Sequence, residues 1–171
     1  MLDIYEDIFE TAKHSPLWWY NKSSDLHASA GALWLSIENE GDYKYAMKLG
    51  LGKTFSLEVA CWPVYQMLFG MAFELIFKAI IVAMKKQPKH SHDLGSLANE
   101  TGIEFSTEEL STLKMLAEVI VWGGRYPVPK NKQDLEKYYG LARNEGISLS
   151  WEDLDRIWEK GCQKFSSTYN S

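Results

Sequence analysis

Three short stretches hold the residues of this chain best suited to chemistry. Glu74 and Lys78 sit four residues apart inside an apolar run. On a helix that spacing puts both on one face, where they can pair and present charge to a ligand. The other reading is a structural pair that fixes helix register in a core, because an ionised side chain is rarely buried alone. His90, His92 and Asp93 form the second stretch. Imidazole gains or loses a proton near neutral pH, so either histidine could serve as a general base or hold a phosphate. Against that, His90 lies beside Lys85, Lys86 and Lys89 in a basic, solvated loop, and Asp93 is placed to cap the amides of a following helix. The third stretch is Trp122-Gly123-Gly124-Arg125-Tyr126-Pro127. The Arg125 guanidinium is a planar, permanently charged fork suited to phosphate or carboxylate. Trp122 and Tyr126 could stack on a base. Equally, Arg125 could tie its loop to the open carbonyls of a helix C-terminus, and the rings could be core.

Other chemistries find no pattern. Cys61 and Cys162 are far apart and form no zinc-type spacing with histidine. His90, His92 and Asp93 lack a further ligand set, so no metal and no cofactor is expected. No serine or cysteine nucleophile stands beside an assigned base. Gly50-Leu51-Gly52-Lys53 lacks the spacing of a phosphate-binding loop.

The elements that must carry these residues read as helices. Leu2, Tyr5, Phe9 and Ala12 share one helical face, and Pro16 ends that element. Leu17-Trp18-Trp19-Tyr20 follows as a loop or turn that could be a lid, a dimer contact or core. A second helix starts near Ser23 or Ser24, carries Leu26, Ala30, Leu33 and Ile37 on one stripe, and ends at Gly41. The third runs from Pro63 to Lys86, 24 residues and about 36 Å, and is apolar almost all round. It should thread the centre of a bundle. Its length also suits a membrane span, but Glu74 and Lys78 would each cost roughly 2.5–3.5 kcal/mol at a bilayer centre. A short helix over 89–102, capped by Ser91, turns Leu94, Leu97 and Ala98 inward and closes at Gly102. Ser106-Thr107-Glu108-Glu109 is a capping box opening a helix that breaks at Gly123-Gly124. Asn131 caps a short helix with Leu135, Tyr138, Tyr139 and Ala142 inward. Ser150 opens the last helix, with Leu154, Ile157, Trp158, Cys162 and Phe165 on one stripe and a fraying tail after Ser166. No strand alternation appears.

Three features in order resemble the HEPN family. They are the apolar helix with its internal charges (Gly70 to Ala79), then His90-Ser91-His92-Asp93-Leu94 with Leu97, then Trp122 to Pro127. The resemblance covers residues 60–165. It implies an all-α, up-and-down helical bundle of four main helices with short additional ones, commonly dimeric. Many members are metal-independent ribonucleases with an Arg followed four to six residues later by His; others bind nucleotide or RNA without catalysis. This chain departs from the ribonucleases, because no His follows Arg125, Arg143 or Arg156. The resemblance therefore implies a noncatalytic module for a nucleotide, RNA or another phosphate-bearing ligand. Its site would be Arg125, Tyr126, Trp122, Lys78, Glu74, His92 and Asp93. The alternatives are a ribonuclease using Arg125 with His92 or His90, and an interaction subunit with no ligand site.

Bulk properties set the frame. The 171 residues are 46% hydrophobic and 24% charged, with net charge −5, enough for one domain (1–171) with a real core. That charge argues against coating or sequence-specific binding of DNA, though Lys85 to His92 is a local basic patch. The acidic, amphipathic start does not read as a signal peptide. With two cysteines only, a reduced cytoplasmic setting is expected, with a homodimer as partner state and no membrane.

Overall fold

A computed structural model describes residues 4–38, 41–143 and 146–171, with the side chains of 41 and 42 outside the description. The described residues are helical with no strand: α1 (Ile4–His14), α2 (Pro16–Ile37), α3 (Gly41–Lys48), α4 (Leu57–Ala83), α5 (Leu94–Thr101), α6 (Thr107–Glu118), a π-turn (Val119–Gly123), α7 (Lys132–Ala142) and α8 (Trp151–Tyr169). Helix α4 is the hub, and α2, α5, α6, the π-turn and α8 all pack on it. Phe69, Phe73, Ile76, Phe77 and Ile80 are fully buried along it. Its apolarity is spent on the core, and 72% of its most apolar window is buried.

Several boundaries differ from the sequence reading. Pro16 opens α2 at its first position, where a missing N–H leaves no bond unmade. Trp18, Trp19 and Tyr20 are therefore helical, not loop. Ser23, expected near a helix start, is buried inside α2 and donates its hydroxyl to the Ala72 carbonyl of α4 at 2.6 Å. Gly41 begins α3, a helix the sequence reading did not contain. Helix α4 starts at Leu57, where the Ser56 side chain accepts from the Val59 amide at 3.2 Å. Pro63 is thus inside the helix rather than at its start. Val59 and Ala60 are exposed there, so water can take the carbonyl that Pro63 leaves without a donor.

The other end of α4 matters more. The helix stops at Ala83, not Lys86. Lys85 takes a left-handed φ of 59°. Its amide donates to the Val82 carbonyl at 2.9 Å, and the Lys86 amide reaches back to Ile81 at 3.1 Å. This is the Schellman pattern, with lysine where glycine is usual. It peels Lys85 and Lys86 off the helix axis.

Beyond α4, the capping signals hold with one exchange. Asp93, not Ser91, caps α5 by accepting from the Ser96 amide at 3.1 Å. Ser91 instead accepts from the Asp93 amide at 3.0 Å. The Ser106–Glu109 capping box forms both of its bonds. In α7, Leu135 and Tyr138 are half-buried, but Tyr139 and Ala142 face solvent. Helix α8 continues through the supposed fraying tail to Tyr169, whose ring stacks on Phe165 at 5.5 Å. On α1, Tyr5 and Phe9 are exposed and no residue is buried; Leu2 lies outside the described residues.

Candidate functional site

The polar residues in α4 pair as their spacing suggested. The Lys78 ammonium donates to Glu74 Oε1 at 2.6 Å, and each residue is only 7% exposed. The second carboxylate oxygen, Oε2, lies 2.7 Å from His92 Nδ1. Glu74 therefore joins the buried Lys78 ammonium and the His92 imidazole, whose side chain is 58% exposed, through its two oxygens. Asp93, next in sequence, spends its carboxylate on the α5 cap.

Arg125 stands apart from this cluster. Its guanidinium donates to the Val121 carbonyl in the π-turn and lies over the Tyr126 ring at 5.6 Å. That is the helix-tying arrangement anticipated as its alternative. Trp122 is 8% exposed and meets the edge of Tyr138 at 5.2 Å, so it is core rather than an open wall. Tyr126 is exposed. Gly124 abuts Met67 of α4. Glu74 and Lys78 are seven and eleven residues further along, about 10 and 16 Å of helix. The structure does not bring Arg125, Tyr126 and Trp122 together with Glu74, Lys78 and His92.

A different site does form. An open groove of about 970 Å³ lies between the α1–α2 corner and the end of α4. Phe9, Trp18, Trp19, Leu75, Val82 and Pro88 supply its apolar surface. Lys13, Lys22, Lys78, Lys85, Lys86 and Lys89 supply its charge, with His14 and His90 beside them. Among the described residues, no carboxylate lines it. Lys13 and His14 have Glu10 at hand, Lys89 has Glu100, and Lys78 has Glu74 behind it. Lys22, Lys85 and Lys86 have no carboxylate partner among the described residues. Trp19 is fixed at the corner by its indole N–H, which donates to the Lys13 carbonyl at 3.1 Å. Tyr20 belongs to the core instead, stacked on Phe165 at 4.4 Å.

The sequence reading named parts of this groove separately: the basic patch, Lys78, His90 and the Trp18-Trp19 pair. It missed Lys13, Lys22 and Phe9. What joins them is tertiary: the chain turns at Ser15 between α1 and α2, and α2 packs on α4.

Two further polar pairs also escaped the sequence. Glu118, buried at the end of α6, receives a short bond from Lys137 of α7, which holds the Lys137 ammonium above its ordinary range. His27 Nε2 lies 2.8 Å from Asp155 Oδ1 and stacks on Trp158 at 4.5 Å. Burial lowers the His27 pKa from 6.5, with Asp155 opposing. Among the described residues, no group of three or more histidine, cysteine or acidic side chains is arranged to hold a metal.

Compared with family models, curated proteins and solved structures, the chain matches none.

Proposed function

We propose that this chain is a noncatalytic, HEPN-like helical module that holds a phosphate-bearing ligand in the groove between α1–α2 and the end of α4. The observation that carries the reading is the groove's charge: six lysines converge with no lining carboxylate among the described residues. Lys13, Lys78 and Lys89 have carboxylates at hand, while Lys22, Lys85 and Lys86 have none among the described residues and leave positive charge that a bound polyanion offsets. A second observation supports it. Lys85 holds a left-handed conformation, costing roughly 1–2 kcal/mol in an L-residue, at the turn that brings the Lys85 and Lys86 side chains to the groove. The Schellman bonds hold this conformation in place, and left-handed non-glycine residues cluster at ligand sites.

This moves the proposed ligand contacts. Lys78 stays, positioned from behind by Glu74 and, through it, by His92. His90 joins as a lining residue. Arg125, Trp122 and Asp93 serve the fold, and the exposed Tyr126 lies under the Arg125 guanidinium. The ribonuclease alternative, Arg125 acting with His90 or His92, is favoured by no contact, since Arg125 is engaged at Val121. A homodimer remains part of the proposal; exposed Ile4, Tyr5 and Ile8 on α1 suit a second copy. Sedimentation at micromolar concentration tests it.

Isothermal titration with pyrophosphate and with ATP tests the ligand reading. Binding should weaken steeply with salt. It should fall at least tenfold in Lys85→Glu/Lys86→Glu and stay unchanged in Arg125→Ala. Absence of binding, or equal binding by the lysine variant, overturns the proposal.

A further inference from the structure

The groove has an unusual division of labour. Lysine dominates its polar side chains, with six lining it. Of the other groups able to read a hydrogen-bonding pattern, Gln87 is the one lining amide, the Trp19 N–H is already given to Lys13, His14 Nδ1 lies 2.9 Å from the Glu10 carbonyl oxygen, and His90 and the Trp18 indole complete the set. Among the described residues no serine, threonine, asparagine or acidic side chain lines it. A nucleobase is recognised on its edges by amides, hydroxyls and carboxylates, and a ribose by an acidic or amide partner. Gln87 is the one such side chain lining this groove among the described residues. What meets the rest of a ligand is hydrocarbon and aromatic: Leu75 and Val82 of α4, Pro88, Trp19, and the rings of Phe9 and Trp18. The last two are 59% and 53% exposed at the rim of a charged groove. The volume, about 970 Å³, is at the large end for a small-molecule site and far exceeds what a phosphate alone requires.

We infer that the ligand is an amphiphilic phosphate: a phosphorylated hydrocarbon chain, its head held by Lys85, Lys86 and Lys22 and its tail laid over Leu75, Val82, Phe9 and Trp18. The inference rests on the phosphate-binding reading and narrows it. The tail covers the open rings and excludes water from the lysines, so head and tail reinforce each other. Each buried methylene removes apolar surface from water, worth about a three- to fourfold gain in affinity.

The test is a titration of the purified protein with butyl, hexyl and octyl phosphate, each kept below its micelle-forming concentration. AMP serves as a probe of equal charge, and octyltrimethylammonium as one of equal tail and opposite charge. Affinity should rise with chain length, and octyl phosphate should bind at least tenfold more tightly than AMP. Phe9→Ser/Trp18→Ser should flatten the chain-length series yet still bind pyrophosphate; both sites are exposed, so the fold should survive. A flat series in the native protein, AMP binding as well as octyl phosphate, or the ammonium compound binding as well as the phosphate each overturns the inference. In the first two cases the phosphate site itself still stands. Failure of pyrophosphate and every organic phosphate to bind takes the underlying reading down with it.

Discussion

At the scale of the residue, the same chemical group has different work depending on what lies behind it. Glu74 illustrates this. The Lys78 ammonium and the His92 imidazole share its oxygens, so the carboxylate acts as a counter-ion that allows Lys78 to reach the groove from a buried position. Removing one partner of a buried pair leaves an unpaired charge, costing about 3–5 kcal/mol. Glu74→Leu should therefore destabilise the protein by about that amount in urea unfolding. Glu74→Leu/Lys78→Met should recover most of the loss while weakening ligand binding. If the single and double variants unfold alike, the pair does not hold Lys78. His27 gives the pH-dependent counterpart. Its folded pKa is lowered, so between that value and its ordinary 6.5 the unfolded chain binds more protons than the folded one. Stability is fully present above that ordinary pKa and falls as pH drops through the window below it. Urea midpoints at pH 7.5 and about 5.5 should show this fall, and His27→Phe should flatten it. An unchanged slope in the variant removes His27 from the account.

At the scale of the element, the ends of helices decide where charge goes. The Schellman turn at Lys85 is the clearest case. Glycine in that left-handed position avoids the clash of Cβ with the neighbouring carbonyl. Lys85→Gly should therefore stabilise the fold by about 1 kcal/mol and, at the same time, weaken binding in the groove. Loss of stability in that variant would mean the turn is not strained. Much of the helical plan was legible in the sequence. The Ser106–Glu109 box, Asn131, Ser150 and Gly102 all act as written, because caps are local and depend on residues three or four apart. What escaped were choices in which tertiary packing prevails. Pro16 both ends one helix and starts the next, and only the docking of α2 on α4 decides that Trp18 to Tyr20 belong to the second. Pro63 inside α4 overrides its ordinary role as a helix start, since the core on either side holds the helix together. The π-turn inserts an extra residue where Trp122 must turn inward, which no periodicity announces.

At the scale of the whole molecule, the candidate site belongs to no single stretch. The Glu74–Lys78 pair could be read from one helix because both partners share it. The groove could not, because α1, the start of α2 and the end of α4 meet only after the chain has doubled back. In the sequence Arg125 is a candidate ligand contact because its guanidinium is a planar, permanently charged fork. The fold instead uses that fork at Val121. The net charge of −5 hid a strongly basic face for the same reason: composition averages over a surface on which the acids lie elsewhere. The measurement that tests this picture most directly is a two-dimensional amide and indole NMR titration of the labelled protein with pyrophosphate. The account predicts saturable shifts at Lys85, Lys86, His90 and the Trp18 indole, with Arg125 and Tyr126 unmoved. Shifts centred on Arg125 and Tyr126, or none at saturating pyrophosphate, would contradict it.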